Sequence, residues 1–397
     1  MGLPDQQFLK ELPSVFKDIH SVLTQFSLTP TAVGGIPRDY ILNGVIGHDW
    51  DIELSSSTLS FSKDHWKDLG KALSALGKVS YLSYEIIRLD TPGYQFEFSP
   101  PRKEVYREDW KNLGHSNFDA HFDFKLSFEE SARRRDFTVN AIGFRFNDLK
   151  KVEVLDPFEG IRHLTEKRLY ACSPDFEKDP IRFFRGIRFA FKLKFDFSPT
   201  LEATLKEMPL SQISAVHLWS EMNKSQDPLS FYLEVLKWQS FHPELKLPIG
   251  QELLVKREEI QRLLKEGHRH ETWIMALEWV GLSHEAWAKF FSVSSESSRR
   301  LARWAQTSKK FIQLLPEKFH GEFEEIRLLP EFEDLFDWYF STKQLLQKNP
   351  ELPLLKMIED FTPAWVHLYR FEPVKDVKHI DPPLRAKYQV WNLCQRI

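Results

Sequence analysis

Apolar positions recur at helical spacing near the start of the chain. Phe8, Leu9, Leu12, Val15, Phe16, Ile19 and Leu23 share one face, which predicts an amphipathic helix over residues 5–26. The period then changes. TAVGG reads as a short apolar strand, followed by a glycine turn, a helix from about Arg38, and a second strand at DWDIEL. Residues 63–77 return to helical spacing and end at Gly77. VSYLSYEIIRL and GYQFEFSP read as strands joined by the turn signal DTPG. The opening ~150 residues therefore predict an α/β unit built on a sheet. From Ser127 the pattern turns helical apart from a short strand at KVEVLD. After about residue 230 it is helical throughout, with Trp273, Leu277 and Val280 on one face. Breaks fall at HPELKLPIG, LLPEFEDLF, KNPELPLL and DPPL. No fixed-period repeat and no low-complexity tract interrupts it.

Alternation in DWDIEL places Asp49 and Asp51 on one face of the strand, with Trp50 and Ile52 on the other. Two carboxylates so placed repel each other unless a cation joins them. Mg²⁺ suits the position, because it takes a few carboxylates and leaves places for phosphate oxygens and water. A solvated edge strand is the plainer reading of an isolated DxD. Gly34 and Gly35 sit between a strand and a helix, where free N–H groups can cradle a phosphate. GG, RD and DxD within some twenty residues form a rarer combination than any one of them. In GYQFEFSP, Glu97 shares a face with Gln95; it reads either as a third acid of the metal site or as a surface carboxylate.

Composition narrows the setting. With 397 residues the chain is too long for one ordinary core, and two to four structural units are expected. Hydrophobic residues make up 42% and charged residues 28%, and the apolar runs are too short to span a bilayer. The first residues, MGLPDQQFLKELPSVF, do not resemble a signal peptide. Cys172 and Cys394 are the sole cysteines, so a reducing cytoplasm without a disulfide framework is expected. The net charge of −3 means that a polyanionic partner would need a local basic patch. Most of the 33 Phe and 12 Trp suit helical core packing.

Three ordered motifs carry a resemblance. GGIPRDYIL…HDWDIEL, SARRRDFTVNAIGF at 131–144 and DPIRFFRGIRFAFKLKF at 179–195 resemble those of the class II tRNA nucleotidyltransferase and bacterial poly(A) polymerase family. FEFSPPRKEVY…GHSNFD resembles the segment between the first two, and the likeness spans roughly residues 30–225. It implies an α+β fold: a polymerase-beta-like nucleotidyltransferase head over 1–149, a base-recognising neck over 150–235, and an all-α body and tail over 236–397 that binds tRNA. It implies that Gly34, Gly35 and Arg38 serve nucleotide binding and that Asp49 and Asp51 bind the metal, with Glu97 as a further catalytic acid. Arg134, Arg135, Asp136 and Asn140 would contact ribose and triphosphate. Asp179 and Arg182 would read the base, with Arg185 and Arg188 near the phosphates. Asp179-Pro180 also makes a good helix start in its own right. The implied activity is addition of C, C and A to tRNA 3′ ends from CTP and ATP, with Mg²⁺ and without a nucleic-acid template. CC-only, A-only or poly(A) products, and a catalytically silent RNA-binding protein, are the alternatives.

The sequence departs from the family at three motif positions. Lys178 stands before Asp179 where an acid is usual, with Glu177 displaced by one. His163 and His217 stand where Asp and Arg are usual, while Glu221 is kept. These bear on the switch from C to A rather than on polymerisation. Segment 106–126 reads as a flexible lever or an ordinary surface loop. No histidine array follows His48-Asp49, so no phosphohydrolase activity is expected. Neither a membrane nor a protein partner is implied.

Overall fold

The computed structural model of the chain describes residues 2–4, 6–109, 117–264, 269–299, 301–303, 305–307, 323–330, 332–338 and 384–394. The chain divides into two compact units. One comprises Met1–Glu221 with Lys237–Leu245, the other Met222–Leu236 with Lys246–Ile397. Every candidate site residue lies in the first.

The helix expected over 5–26 is two helices, α1 (Gln6–Lys10) and α2 (Phe16–Gln25). Pro13 lies between them; it has no N–H to donate and disfavours helical geometry at Leu12. The apolar spacing continues across the break because both helices bury onto the same core. Phe8 meets Tyr40 and Phe144 edge-on, and Phe16 packs on Trp50 and Phe146.

Nine strands follow in the first 155 residues. They are β1 (Thr29–Val33), β2 (Asp49–Ser55), β3 (Lys78–Leu82), β4 (Ile86–Thr91), β5 (Tyr94–Ser99), β6 (Arg102–Tyr106), β7 (Phe118–Phe122), β8 (Gly143–Arg145) and β9 (Glu153–Leu155). Seven form one sheet in the order β3-β4-β5-β2-β1-β8-β9. Only β2 and β5 run parallel; all other neighbours are antiparallel. α3 (Gly35–Asn43) begins three residues ahead of Arg38, and α4 (Lys63–Leu73) stops short of Gly77. VSYLSYEIIRL, read as one strand, is β3 and β4, because Tyr84 and Glu85 turn the chain at φ 59° and 55°.

Segment 106–126 is not wholly a loop. β6 and β7 form a separate hairpin, paired from Arg102↔Phe122 to Tyr106↔Phe118. β7 alternates Phe118, Ala120 and Phe122 with polar residues, but β6 turns Arg102, Glu104 and Tyr106 inward and leaves Val105 exposed, a weak strand signal. Residues 110–116, at the centre of the expected lever, lie outside the described residues.

The helices α5 (Phe128–Ala132), α6 (Gly160–Glu166), α7 (Ile181–Leu193), α8 (Pro199–Glu207) and α9 (Ala215–Asn223) succeed the hairpin. Ser127 and Glu130 close α5 with a reciprocal capping box. Three short strands break the helical run expected here. β8 joins the main sheet, and β10 (Arg168–Leu169) pairs in parallel with β11 (Asp196–Phe197).

Among the described residues the second unit holds helices joined by turns and loops, and no strand. Its described helices include most of α10 (Pro228–Lys237), then α11 (Glu252–Val255), α12 (Arg257–Leu264), α13 (His270–Trp279) and α14 (Glu285–Phe290). Trp273, Leu277 and Val280 are buried, as their common face requires, and Trp273 stacks on Trp287 with centroids 4.4 Å apart. The breaks read at KNPELPLL and across most of DPPL lie outside the described residues. Among the described residues no helix is long and apolar enough to cross a membrane.

Candidate active site

The strand–turn–helix passing from β1 into α3 meets β2 at its acidic end. Gly34 has φ 70° and ψ −117°, a region open essentially to glycine, and a Cβ built on it would stand 3.0 Å from an Asp51 carboxylate oxygen. The antiparallel register opposes Val33 to Asp51. On β2, Trp50, Ile52 and Leu54 are buried against the core, leaving Asp49 and Asp51 open on the other face. Surrounding protein desolvates Asp51 although its tip reaches solvent, and this raises its pKa. Arg135 and Arg134 oppose the rise, while Glu97 and Asp49 add to it. Burial is the largest of these effects, so the Asp51 charge is costly to keep without a partner. Two hard carboxylates open on one face fit a divalent cation such as Mg²⁺.

Glu97 lies directly across from Asp51 in the parallel pairing of β2 with β5. Its Oε1 accepts from Arg88 Nε and Nη2 at 3.0 and 2.6 Å. The third acid is thus beside the pair and bound to a guanidinium. Among the described residues no three His, Cys, Asp or Glu side chains gather as a metal-binding group.

Glu53 is the next residue on the face of Asp49 and Asp51, and the sequence reading passed over it. It is buried, with Oε1 accepting from Ser131 Oγ at 2.6 Å. Its other oxygen faces Arg134 and Arg135 at 3.6 and 4.0 Å. Each of these arginines keeps a buried Nε with no hydrogen-bond partner. Burial lowers the Arg134 pKa to about 9, assisted by repulsion from Arg102 and Arg135. Two guanidiniums with surplus donors beside two open carboxylates make a site for an anion bridged by a cation. The alternation of acids along DWDIEL was the signal that could have found Glu53.

A second network links the first two motifs. Arg38 is buried, clasps the carboxylate of Asp39 with two N–H groups, and donates Nη1 to Asn140 Oδ1 at 2.7 Å. Asn140 donates to Asp136 Oδ1 at 3.0 Å, and Asp136 Oδ2 accepts from Arg185 Nε and Nη2 at 2.8 and 2.6 Å. Burial alone would raise the Asp136 pKa. Arg185, Asn140 and the Phe137 N–H together bring it down to about 2, so the carboxylate stays ionised. Arg38, Asp136, Asn140 and Arg185 therefore form one fixed array.

Asp179 and Arg182 stand at the start of α7. Asp179 accepts from the Ile181 N–H at 3.3 Å, and its Oδ2 lies 3.9 Å from Arg182 Nε. Both are buried. Arg188, one turn beyond Arg185, donates Nε to the fully buried Glu221 at 2.6 Å and stacks over Phe189. Its guanidinium thus braces α7 against α9. Lys178 pairs with Asp175 at 2.6 Å. His163 is buried between Tyr170, on which it stacks, and Thr138, and burial lowers its pKa. His217 Nδ1 accepts the Ser214 N–H ahead of α9.

Residues 31–170 match the family described as the poly A polymerase head domain. A CCA-adding enzyme of Streptococcus pyogenes serotype M5 (strain Manfredo) is 31% identical over 224 residues, which cover 54% of this chain and 51% of that protein. The chain spans about half the length of the curated relatives it matches. Among solved structures, a CCA-adding enzyme in apo form I shares the fold with a TM-score of 0.59 at 18% identity, covering 98% of this chain and 91% of the other. A tRNA nucleotidyltransferase complexed with a primer tRNA and an incoming ATP analog has a TM-score of 0.51 at 19% identity, covering 89% and 98%. At such identities the likeness is one of fold: a mixed α+β head with a helical body. Over residues 31–170, the chain is similar to the poly A polymerase head domain.

Proposed function

We propose that this protein is a CCA-adding tRNA nucleotidyltransferase, extending tRNA 3′ ends with C, C and A from CTP and ATP without a template. The observation that carries this reading is the open face of Asp49 and Asp51, flanked by the Gly34 turn and by two guanidiniums with unused donors. The 31% identity to a CCA-adding enzyme supports it, as does the likeness in fold to such enzymes.

Mg²⁺ held by Asp49 and Asp51 would supply activation of the tRNA 3′-hydroxyl and neutralise charge on the triphosphate. The chain's own groups do the rest. The Gly34–Gly35 turn would let the triphosphate approach the backbone at the start of α3. Arg134 and Arg135 donate to its oxygens and stabilise the charge that moves to the leaving pyrophosphate. Asn140 and Asp136, fixed by Arg38 and Arg185, order the ribose. Asp179 accepts from the exocyclic amino group of cytosine or adenine, and Arg182 donates to the neighbouring ring nitrogen. Uracil and guanine present the opposite pattern and would leave both side chains unpaired. The helical second unit would hold the tRNA by shape and backbone contacts, as duplex RNA is usually held. The working place would be the cytoplasm.

The test uses the purified chain, tRNA ending at the discriminator base, and CTP and ATP singly and together, with the 3′ ends sequenced. CC from CTP alone and CCA from both are expected. Oligo(A) on unrelated RNA, or products stopping at CC, would assign the other activities of the family. Asp49→Ala should abolish incorporation while leaving the fold intact. Unchanged incorporation would revive a silent RNA-binding role.

A further inference from the structure

Arg134 and Arg135 are neighbours in the chain, and their side chains are only 14% and 13% exposed. Two guanidiniums so placed repel each other, and an anion is needed to offset them. The chain supplies one in Glu53 of β2, itself 3% exposed. Its Oε2 stands 3.6 Å from Arg134 Nη2 and 4.0 Å from Arg135 Nη2. These distances allow attraction between charges but exceed those of a hydrogen bond. That oxygen and the Nε of each arginine have no hydrogen-bond partner. The other oxygen is pinned, because Oε1 accepts from Ser131 Oγ at 2.6 Å. Ser131 thus holds the carboxylate short of the guanidiniums.

We propose that Glu53 is a positioning residue for this arginine pair: it is the chain's own anion, competing for Arg134 and Arg135 with the triphosphate and with the pyrophosphate left after transfer, and so easing product release. The inference rests on the proposed reading of the two arginines as triphosphate contacts. A carboxylate at hydrogen-bonding distance would occupy their donors. At 3.6 and 4.0 Å it offsets charge and leaves the donors for phosphate oxygens. The offset is partial. Burial, then repulsion from Arg102 and Arg135, brings the Arg134 pKa down to about 9 in spite of Glu53. An arriving polyanion therefore still gains from the pair, and the same two guanidiniums also act on Asp51 in the open face. Without an internal anion, the pair would grip pyrophosphate as firmly as the nucleotide. With Glu53 nearby the grip is loosened for both, which favours turnover over ground-state binding.

Inorganic triphosphate and pyrophosphate, each titrated calorimetrically into the full-length chain in EDTA, probe the arginine pair without base, ribose or metal. Wild type, Glu53→Gln, Ser131→Ala, Arg134→Ala and Arg135→Ala are compared. Coupled sites typically change each other's affinity by roughly 5–150-fold, and Glu53→Gln is expected to lower both Kd values by about tenfold. A residue that only supported the fold would loosen binding when replaced. Ser131→Ala should act in the opposite sense: the buried oxygen it frees turns to the guanidiniums, raising both Kd values by about threefold. Wild-type or weaker binding by Glu53→Gln, alongside weakened binding by the arginine variants, overturns the Glu53 role and leaves the triphosphate reading standing. Should Glu53→Gln fail to fold, Ser131→Ala decides: weaker binding supports the role, and unchanged or tighter binding overturns it. If Arg134→Ala and Arg135→Ala both bind as wild type does, these arginines are not the triphosphate contacts and the Glu53 role falls with that reading.

Discussion

Glu53 places a negative charge where water does not reach, and two arginines place positive charge against it. Ser131 satisfies one of its oxygens, and Arg134 and Arg135 face the other at 3.6 and 4.0 Å. Glu53→Gln keeps the shape and the acceptor for Ser131 but removes the charge. Two buried guanidiniums would then face a neutral amide, so unfolding in urea should show a loss of about 3 kcal/mol. A midpoint unchanged from wild type would mean that solvent already screens the pair. Asp49 and Asp51 were legible in the sequence because strand alternation alone puts them on one face. Glu53 obeys the same alternation, yet its meaning depends on arginines some eighty positions along, which no local pattern connects to it. Glu97 shows the opposite case. Its face was legible, but its commitment to Arg88 depended on the β4–β5 register.

The turn from β1 into α3 works as a unit with the start of β2. Its backbone at Gly34 is barred to residues with a Cβ, and the vacant space is occupied by Asp51. Gly34→Ala should therefore act twice, straining the turn by about 1–3 kcal/mol and pushing the carboxylate off its position. The measurable signature is a fall in kcat of at least tenfold in a protein that still melts cooperatively; equal losses in folding and activity would reduce the glycine to a structural requirement. Other elements show why the pattern reading reached only part of this fold. The acidic strand and its preceding turn were legible from alternation and a glycine pair. α1 and α2 read as one helix because apolar spacing is blind to a proline that bends the path without changing the buried face. β6 and β7 were unreadable as strands because β6 turns charged Arg102 and Glu104 inward and leaves Val105 exposed, and no face of the hairpin is fully buried. Pairing within the hairpin holds them, together with Arg102 packed over Tyr84.

At the scale of the whole molecule, the net charge of −3 and the proposed polyanionic partner pull in different directions. Long-range steering follows the summed field, which here is weakly repulsive to RNA. Affinity follows the local cations that displace counterions from individual phosphates. The two contributions separate experimentally because salt acts on them through different steps. Association of tRNA should be slow for a protein of this class and change by no more than about threefold between 50 and 500 mM KCl, since there is little attraction to screen. The dissociation constant should rise steeply over the same range, with a log–log slope of magnitude near 0.7–0.9 for each phosphate contacted. Stopped-flow association and equilibrium titration across the salt series give the two slopes directly. If the association rate instead fell tenfold or more with salt, a concentrated basic face strong enough to outweigh the net charge would be steering the RNA. The Lys and Arg residues of the helical unit, substituted in groups, would then be the place to find it.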